Sequence, residues 1–213
     1  MDTVVRNQLS AGNNVLFCPT VASGTETAVT LRKNMNTTSQ LTVKMIQKAV
    51  ATLKKNNVPT FNGDYVAIIH PYVAYDLQRD PEWIDAHKYA QPENLFTGEI
   101  GKVAGVRFVE STEAKVWKDS DCPQKSAGSG SDPATYYGVF STLVLGKNAY
   151  GVTEVTGGGL QTIVKPLGAG EDPLNQRSTV GWKGILTAKI LLEQNMVRIE
   201  SVSAEWSGTV DAN

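Results

Sequence analysis

The chain has 213 residues, long enough for one large domain or two small ones, with 41% apolar and 19% charged residues. Its formal net charge of -1 gives no field that would draw in nucleic acid or an anionic membrane surface. No apolar stretch approaches the ~20 residues needed to cross a bilayer, and the opening "MDTVVRNQLSAG" lacks the basic start and apolar block of a secretion signal.

"MDTVVRNQLSAG" reads as the end of a helix, with Val4, Val5 and Leu9 close to one face and Gly12 as its stop. The helix is short, as if its beginning lay elsewhere. Residues 18–40 are rich in Thr, Ser and Asn, a composition of loops or weakly patterned strands. "LTVKMIQKAVATLKKNN" is a firmer element: Val43, Ile46, Val50 and Leu53 repeat at helical spacing, Thr42 stands at the N-cap, and Lys54 and Lys55 suit the carboxyl end.

"NVPTFNG" breaks the chain, and "DYVAIIH" is a short β-branched strand. Pro71 fits the first turn of a following helix, because the N–H it lacks would be unpaired there. Tyr72, Tyr75 and either Leu77 or Val73 are expected to face the strand. The amphipathic piece "NLFTGEIGKVA" then leads to a second strand in "GVRFVES". Residues 118–135 hold almost nothing suited to a core and predict an exposed, mobile loop.

The last third is β-rich. "YYGVFSTLVLG" and "AYGVTEV" predict strands joined by a "GKN" turn, and "LQTIVKPLG" predicts another. "TVGWKGILTAKILL" and "MVRIESVSAEW" predict a long hairpin around "EQN", with Trp182, Gly184, Leu186, Ala188 and Ile190 on one side. A central α/β lobe thus returns into a β-rich region where the first helix and the last strands meet.

Catalytic templates mostly fail. Gly101-Lys102 and Gly146-Lys147 lack the upstream glycine of a phosphate loop, and "GAGEDP" has Pro173 where a dinucleotide fingerprint needs its third glycine. Ser129 sits in a polar tract rather than on a strand-to-helix elbow. His70 and His87 are too far apart for one helical face, and "DSDCPQKSAGSG" carries Gln124 where a calcium loop needs glycine. Cys18 and Cys122 match no metal-ligand spacing; two unpaired thiols in a reducing cytosol are expected, with a disulfide the open alternative. His70 with Asp76 is the remaining enzyme reading, a small hydrolase. In "LQRDPEWIDAHK", Trp83 favours core packing over a partner, although Trp, Tyr and Arg together are also an interface composition.

Four stretches taken in order, "YVAIIHPYVAYDLQRDPEWIDAHKYA", "ENLFTGEIGKVAGVRFVES", "STLVLGKNAYGV" and "LQTIVKPLGAGEDPLNQRSTVGWKGILTAKIL…MVRIES", resemble the major capsid proteins of tailed bacteriophages, in particular the podovirus-type family also found in prophages. The resemblance runs from Met1 to about Ser203. It implies an α+β protein of the common tailed-phage capsid fold, with an axial α/β domain and a peripheral domain of spine helix and long strands. Residues 41–155 would be axial, with 118–135 as exposed loop. Residues 1–40 and 156–213 would be peripheral.

That resemblance implies a structural, non-catalytic subunit that associates with itself in pentamers and hexamers of an icosahedral head, assembled in the bacterial host cytoplasm. Scaffolding, portal or decoration proteins are further partners it implies; genome contact would be nonspecific, and no cofactor or membrane is implied. Arg79, Asp80, Glu82, Trp83, Trp182 and Lys183 are the subunit-contact candidates. Family members carry an arm, an extended loop and most of the spine helix ahead of the counterpart of Met1, so poor assembly is expected of this chain. An encapsulin-like cellular compartment shell is the alternative within the same fold.

Overall fold

The computed structural model describes residues 2–90, 101–126, 135–153, 159–168, 174 and 176–213. Helix α1 (Asp2–Leu9) precedes β1 (Val15–Phe17), β2 (Thr20–Ala22) and β3 (Thr25–Thr27). Then come α2 (Val43–Lys55), β4 (Tyr65–Ile69), α3 (Pro71–Gln78), α4 (Pro81–Ala90), β5 (Lys102–Val103), β6 (Val106–Glu110) and β7 (Val116–Trp117). The β-rich part holds β8 (Gln124–Ser126), β9 (Thr135–Tyr136), β10 (Val139–Leu145), β11 (Tyr150–Val152), β12 (Gln161–Lys165), β13 (Thr179–Lys183), β14 (Ala188–Ile190) and β15 (Met196–Val202).

A mixed seven-stranded sheet in the order β1-β15-β10-β4-β6-β5, with β7 also on β10, forms the body. Its two middle strands, β10 and β15, are buried at every residue; β10 is mostly apolar, while β15 carries Arg198, Glu200 and Ser201 among its apolar residues. α2 presents Val43, Ile46, Ala49, Val50 and Leu53 to the core, as its 3.6-residue period dictates. These side chains join Trp83, Phe140, Val144, Val197 and Ile199 in one cluster. The body is α+β, with its helices covering a mixed sheet.

The fold differs from several of these expectations. The segment 18–40 is in part the β2–β3 hairpin, turned by Ser23 and Gly24 at φ 50° and 79°. β1, three residues long, has too little pattern to be read in advance, yet it pairs in parallel with β15. Tyr72 and Tyr75 are half-buried and turn towards Trp206, while Val73 and Leu77 fill the core. The expected loop 118–135 is pinned by the buried Cys122 and Pro123 before β8; residues 127–134 lie outside the described residues, as do residues 94–100 of the expected amphipathic piece 94–104.

The largest correction concerns pairing. "EQN" is a 3₁₀ turn, Glu193–Asn195, and the strands on either side of it are not partners. β15 pairs with β10, β14 with β11, and β13 with β12. "GKN" likewise does not join two paired strands. Both turns let one antiparallel pair step out of the sheet and carry on, instead of folding each strand back on its neighbour.

Candidate subunit-contact surface

Two chain segments leave the sheet together. Leu145 opposes Met196 at the end of the β10–β15 ladder, Tyr150 opposes Ile190 in β11–β14, and Gln161 opposes Lys183 in β12–β13. Between the named strands the ladder is kept by backbone bonds: Gly146 N–H donates to Asn195 O (2.8 Å), Leu191 to Ala149 O (2.9 Å) and Thr153 to Thr187 O (2.9 Å). The sheet's middle pair therefore continues outward as a two-stranded ribbon as far as Thr153 and Thr187, and β12–β13 is a separate two-stranded pair further along the same two segments. At Gly146, where it departs, an added Cβ would collide with the Val58 side chain, so only glycine passes there without a shift.

Every residue of β12 and β13 is exposed, on both faces. Opposed residues of an antiparallel pair share a face and successive residues alternate. The register thus puts Thr162, Val164, Val180 and Trp182 on one face, and Gln161, Ile163, Lys165, Thr179 and Lys183 on the other. The first face is bare: Val164 is 63% exposed, Val180 73% and Trp182 74%. Most of the large exposed apolar side chains among the described residues lie between Tyr150 and Leu192. An isolated two-stranded ribbon is marginally stable in water, and covering such side chains is worth about 1.5–3 kcal/mol each.

The expected side of Trp182, Gly184, Leu186, Ala188 and Ile190 does not exist as one face. Residues 184–187 are not strand, so Trp182 stands in solvent while Ala188 is buried where β14 runs near α1. Lys183 is exposed on the ribbon's polar face.

The other candidates cluster at the α3–α4 corner. Arg79 is exposed and donates to the Tyr75 hydroxyl, with its guanidinium 5.0 Å from that ring's centre. Asp80 joins two helix starts: Oδ1 accepts from Glu82 N–H (3.0 Å) and Oδ2 from Val43 N–H (2.8 Å). Thr42 does hold the N-cap position of α2, but its side chain makes no capping bond, so the carboxylate from residue 80 serves. Glu82 is exposed. Trp83 is 2% exposed and belongs to the core cluster, so it offers no face to a neighbour.

His70 is the N-cap of α3. Its Nδ1 accepts the Tyr72 N–H (3.2 Å), and its ring packs 5.0 Å from Phe140. Burial lowers its pKa, keeping the imidazole neutral. Burial pushes the carboxyl of Asp76, further along α3, up to about 6. His70 is thus occupied as a cap, with the Tyr72 ring 4.9 Å away and Trp206 stacked on Tyr72 in turn. The side chain of His87, Ser129 and the "GAGEDP" glycine Gly170 lie outside the described residues. Among the described residues no three His, Cys, Asp or Glu side chains gather as a metal site, and no helix is long and apolar enough to cross a membrane.

A buried clasp escaped the sequence reading altogether. Glu200, fully buried in β15, takes a bidentate pair from Arg32 (Nε–Oε2 2.7 Å, Nη2–Oε1 2.8 Å) and a third bond from Arg198 Nε (3.0 Å). Arg198 Nη1 also donates to Ser10 O and Gly12 O just past α1, and the Trp117 ring lies 4.1 Å from the Arg32 guanidinium. Cys18 and Cys122 are separate buried thiols; burial raises both, Cys122 to about 12.

A body with its polar groups spent on internal clasps, extended by a bare apolar ribbon, is that of a structural subunit. The family model described as "Phage capsid protein" matches residues 1–178, and the chain belongs to that family. Solved structures agree in fold. The capsid of cyanophage P-SCSP1u is 18% identical over 94% of this chain and 60% of its own, with a TM-score of 0.59. The acid-stable capsid of Helicobacter pylori bacteriophage KHP30 is 13% identical over 94% and 64%, at 0.62. The Mycobacterium phage Che8 protein is 16% identical over 93% and 57%, at 0.57. The chain has the tailed-phage capsid fold and spans about 60% of the length of these relatives. No curated protein matches it.

Proposed function

We propose that this chain is a shell-forming subunit of a phage head, associating with its own copies in rings of five and six within an icosahedral capsid around the genome. The observation that carries the reading is the ribbon: an apolar face of Val164, Val180 and Trp182 left in water by a fold whose core is otherwise closed. Residues 41–155, completed by β1 and β15 of the shared sheet, form the axial domain at the ring's centre, and the rest of residues 1–40 and 156–213 the peripheral domain. Contacts run through Trp182 on the ribbon and through Arg79 and Glu82 on the α3–α4 corner, with Lys183 at the ribbon's polar face. Asp80 serves by holding that corner in shape. Assembly takes place in the host cytoplasm, with scaffolding, portal and decoration proteins as further partners, and any genome contact is through nonspecific charge.

Electron microscopy of the purified chain at high concentration tests this. Rings or open sheets are expected, rather than the closed shells that the poor assembly expected of this chain would preclude. Uniform single subunits at every concentration would overturn it.

A further inference from the structure

We propose that residues 203–213 form a proton-held strap, closed over α3 and β7 while the Asp76 carboxyl is neutral and released from them as a unit when it is ionised. The strap works within one subunit, so it stands or falls independently of shell assembly.

Few of its own side chains seat it. After β15 the chain runs in turns, and the half-buried Trp206 ring is stacked on Tyr72 (centres 4.7 Å apart) and edge-on to Tyr75 (4.8 Å). Val210 sits against Gly138, where an added Cβ would collide with it. Other holds are made by the body on the strap's main chain. Gly138 N–H donates to Ser207 O (2.5 Å), Lys118 Nζ to Val210 O (2.7 Å) and Lys125 Nζ to Gly208 O (3.3 Å). At the far end Asn213 lies along β7: its Oδ1 accepts from Val116 N–H (2.9 Å), and its Nδ2 donates to Ala114 O (3.1 Å). A segment held by scattered bonds and one aromatic anchor opens at lower cost than the sheet beneath it.

One buried group decides whether it stays shut. Asp76 is 8% exposed, and its Oδ2 has no hydrogen-bond partner among the described residues. An ionised carboxylate with an unpaired oxygen is costly there, and a protonated one is far less so. Three groups act on it: Ser203 and Arg79 favour its charge, and Glu205 opposes it. Ser203 and Glu205 belong to the strap, so lifting the strap wets the carboxyl and removes the opposing charge. The Ser207 hydroxyl donates back to Ser203 O, so the neighbour of Asp76 and the turn that carries Trp206 move together. His70, at the start of the same helix, is held neutral by burial.

The sign follows from burial. The Asp76 carboxyl is raised to about 6 in the closed fold, so the closed strap holds the proton more tightly than an open one. Closure is therefore strongest in acid and weakens as pH rises through about 6. Release would reach the α3–α4 corner as well, because the Tyr75 ring that meets Trp206 also receives Arg79.

Hydrogen exchange on the full chain in dilute solution tests this, because Gly138 and Val116 belong to the body and donate to the strap. Protection is taken relative to the free-chain rate at each pH. From about pH 5 to about pH 7.5, protection at these two amides should fall at least about tenfold, and at the higher pH lie well below that of the β10–β15 amides. Asp76→Asn should hold it level over that range. Trp206→Ala, which removes the anchor and keeps Asp76, should give low protection at both pH values. Four results would each overturn the strap: level protection in the parent, an undiminished fall in Asp76→Asn, parent-like protection in Trp206→Ala, or strap-facing amides as protected as the sheet at the higher pH. Electron microscopy decides shell assembly separately, so the failure of one reading leaves the other standing.

Discussion

The β10–β15 pair and the β12–β13 pair are both antiparallel ladders, and they live in opposite environments. In the first, all seven residues of each strand are buried. In the second, all five residues of each are exposed. The backbone pairing is alike, so pairing does not explain the difference. What differs is cover: α2 packs against β15, whereas no element among the described residues lies over Val180 or Trp182. A strand that finds its cover within the chain stabilises the subunit, and one that must find it outside is available for assembly.

That contrast can be broken or sharpened in order of expected effect. The largest should come from Glu200→Ala, which strands Arg32 and Arg198 without their shared carboxylate. A loss of about 3–5 kcal/mol is expected, read from the urea midpoint, because removing one partner leaves buried charge uncompensated. A loss below about 1 kcal/mol would mean that the clasp is solvated and that the inner strands owe less to it than their burial suggests.

Asp76→Asn comes next and acts through pH. The carboxyl rises from 3.8 to about 6 in the fold, so the folded state holds its proton more tightly than the unfolded one. Its stabilising contribution is full below about pH 4 and is lost as pH rises through about 6. The Asn variant should match the parent at pH 4 and exceed it at pH 7.5 by on the order of 2 kcal/mol. Ser203, Glu205 and Arg79 act on the same carboxylate and stay in place in both proteins. His70 has the opposite dependence, losing stability on acidification, and cancels in the comparison. Identical pH profiles would show that Asp76 is better hydrated than its burial implies.

Asp80→Ala should cost about 1–2 kcal/mol, since one carboxylate caps both α2 and α4. Asp80→Asn should recover part of it. A neutral effect on unfolding together with weakened assembly would return Asp80 to the role of a direct contact.

How much of this could be read from the sequence follows the range of the forces involved. α2 and β4 were legible because their patterns are local: Val43, Ile46, Val50 and Leu53 mark a helical face, and "YVAII" is β-branched and apolar. Pairing was not, because "GKN" and "EQN" look like hairpin turns while the partners they actually serve lie far away in the chain: Leu145 with Met196 and Gln161 with Lys183. β1 is too short to carry a period. The Glu200 clasp joins residues 168 apart, and nothing near Arg32 announces it.

The candidate surface was half visible. Trp182 and Lys183 are both exposed, yet the side expected to join Trp182 to Ala188 and Ile190 does not exist, because the strand breaks at 184–187. The alternation of Leu160, Thr162 and Val164 opposite Val180 and Trp182 is in the sequence, and becomes a face only when the register is known. Trp83 shows the reverse: an interface composition around it, and a core position for the side chain itself.

The smallest expected effect on stability carries the central claim. Trp182→Lys touches a side chain 74% exposed, so the subunit's own unfolding should move by less than about 0.5 kcal/mol. Sedimentation velocity at high concentration, run on parent and variant of equal melting temperature, is the most direct measurement. The account predicts a clearly larger share of material heavier than a single subunit for the parent than for Trp182→Lys. Indistinguishable sedimentation of the two, or a variant that melts well below the parent, would contradict it, since the ribbon would then be either idle or covered within its own chain.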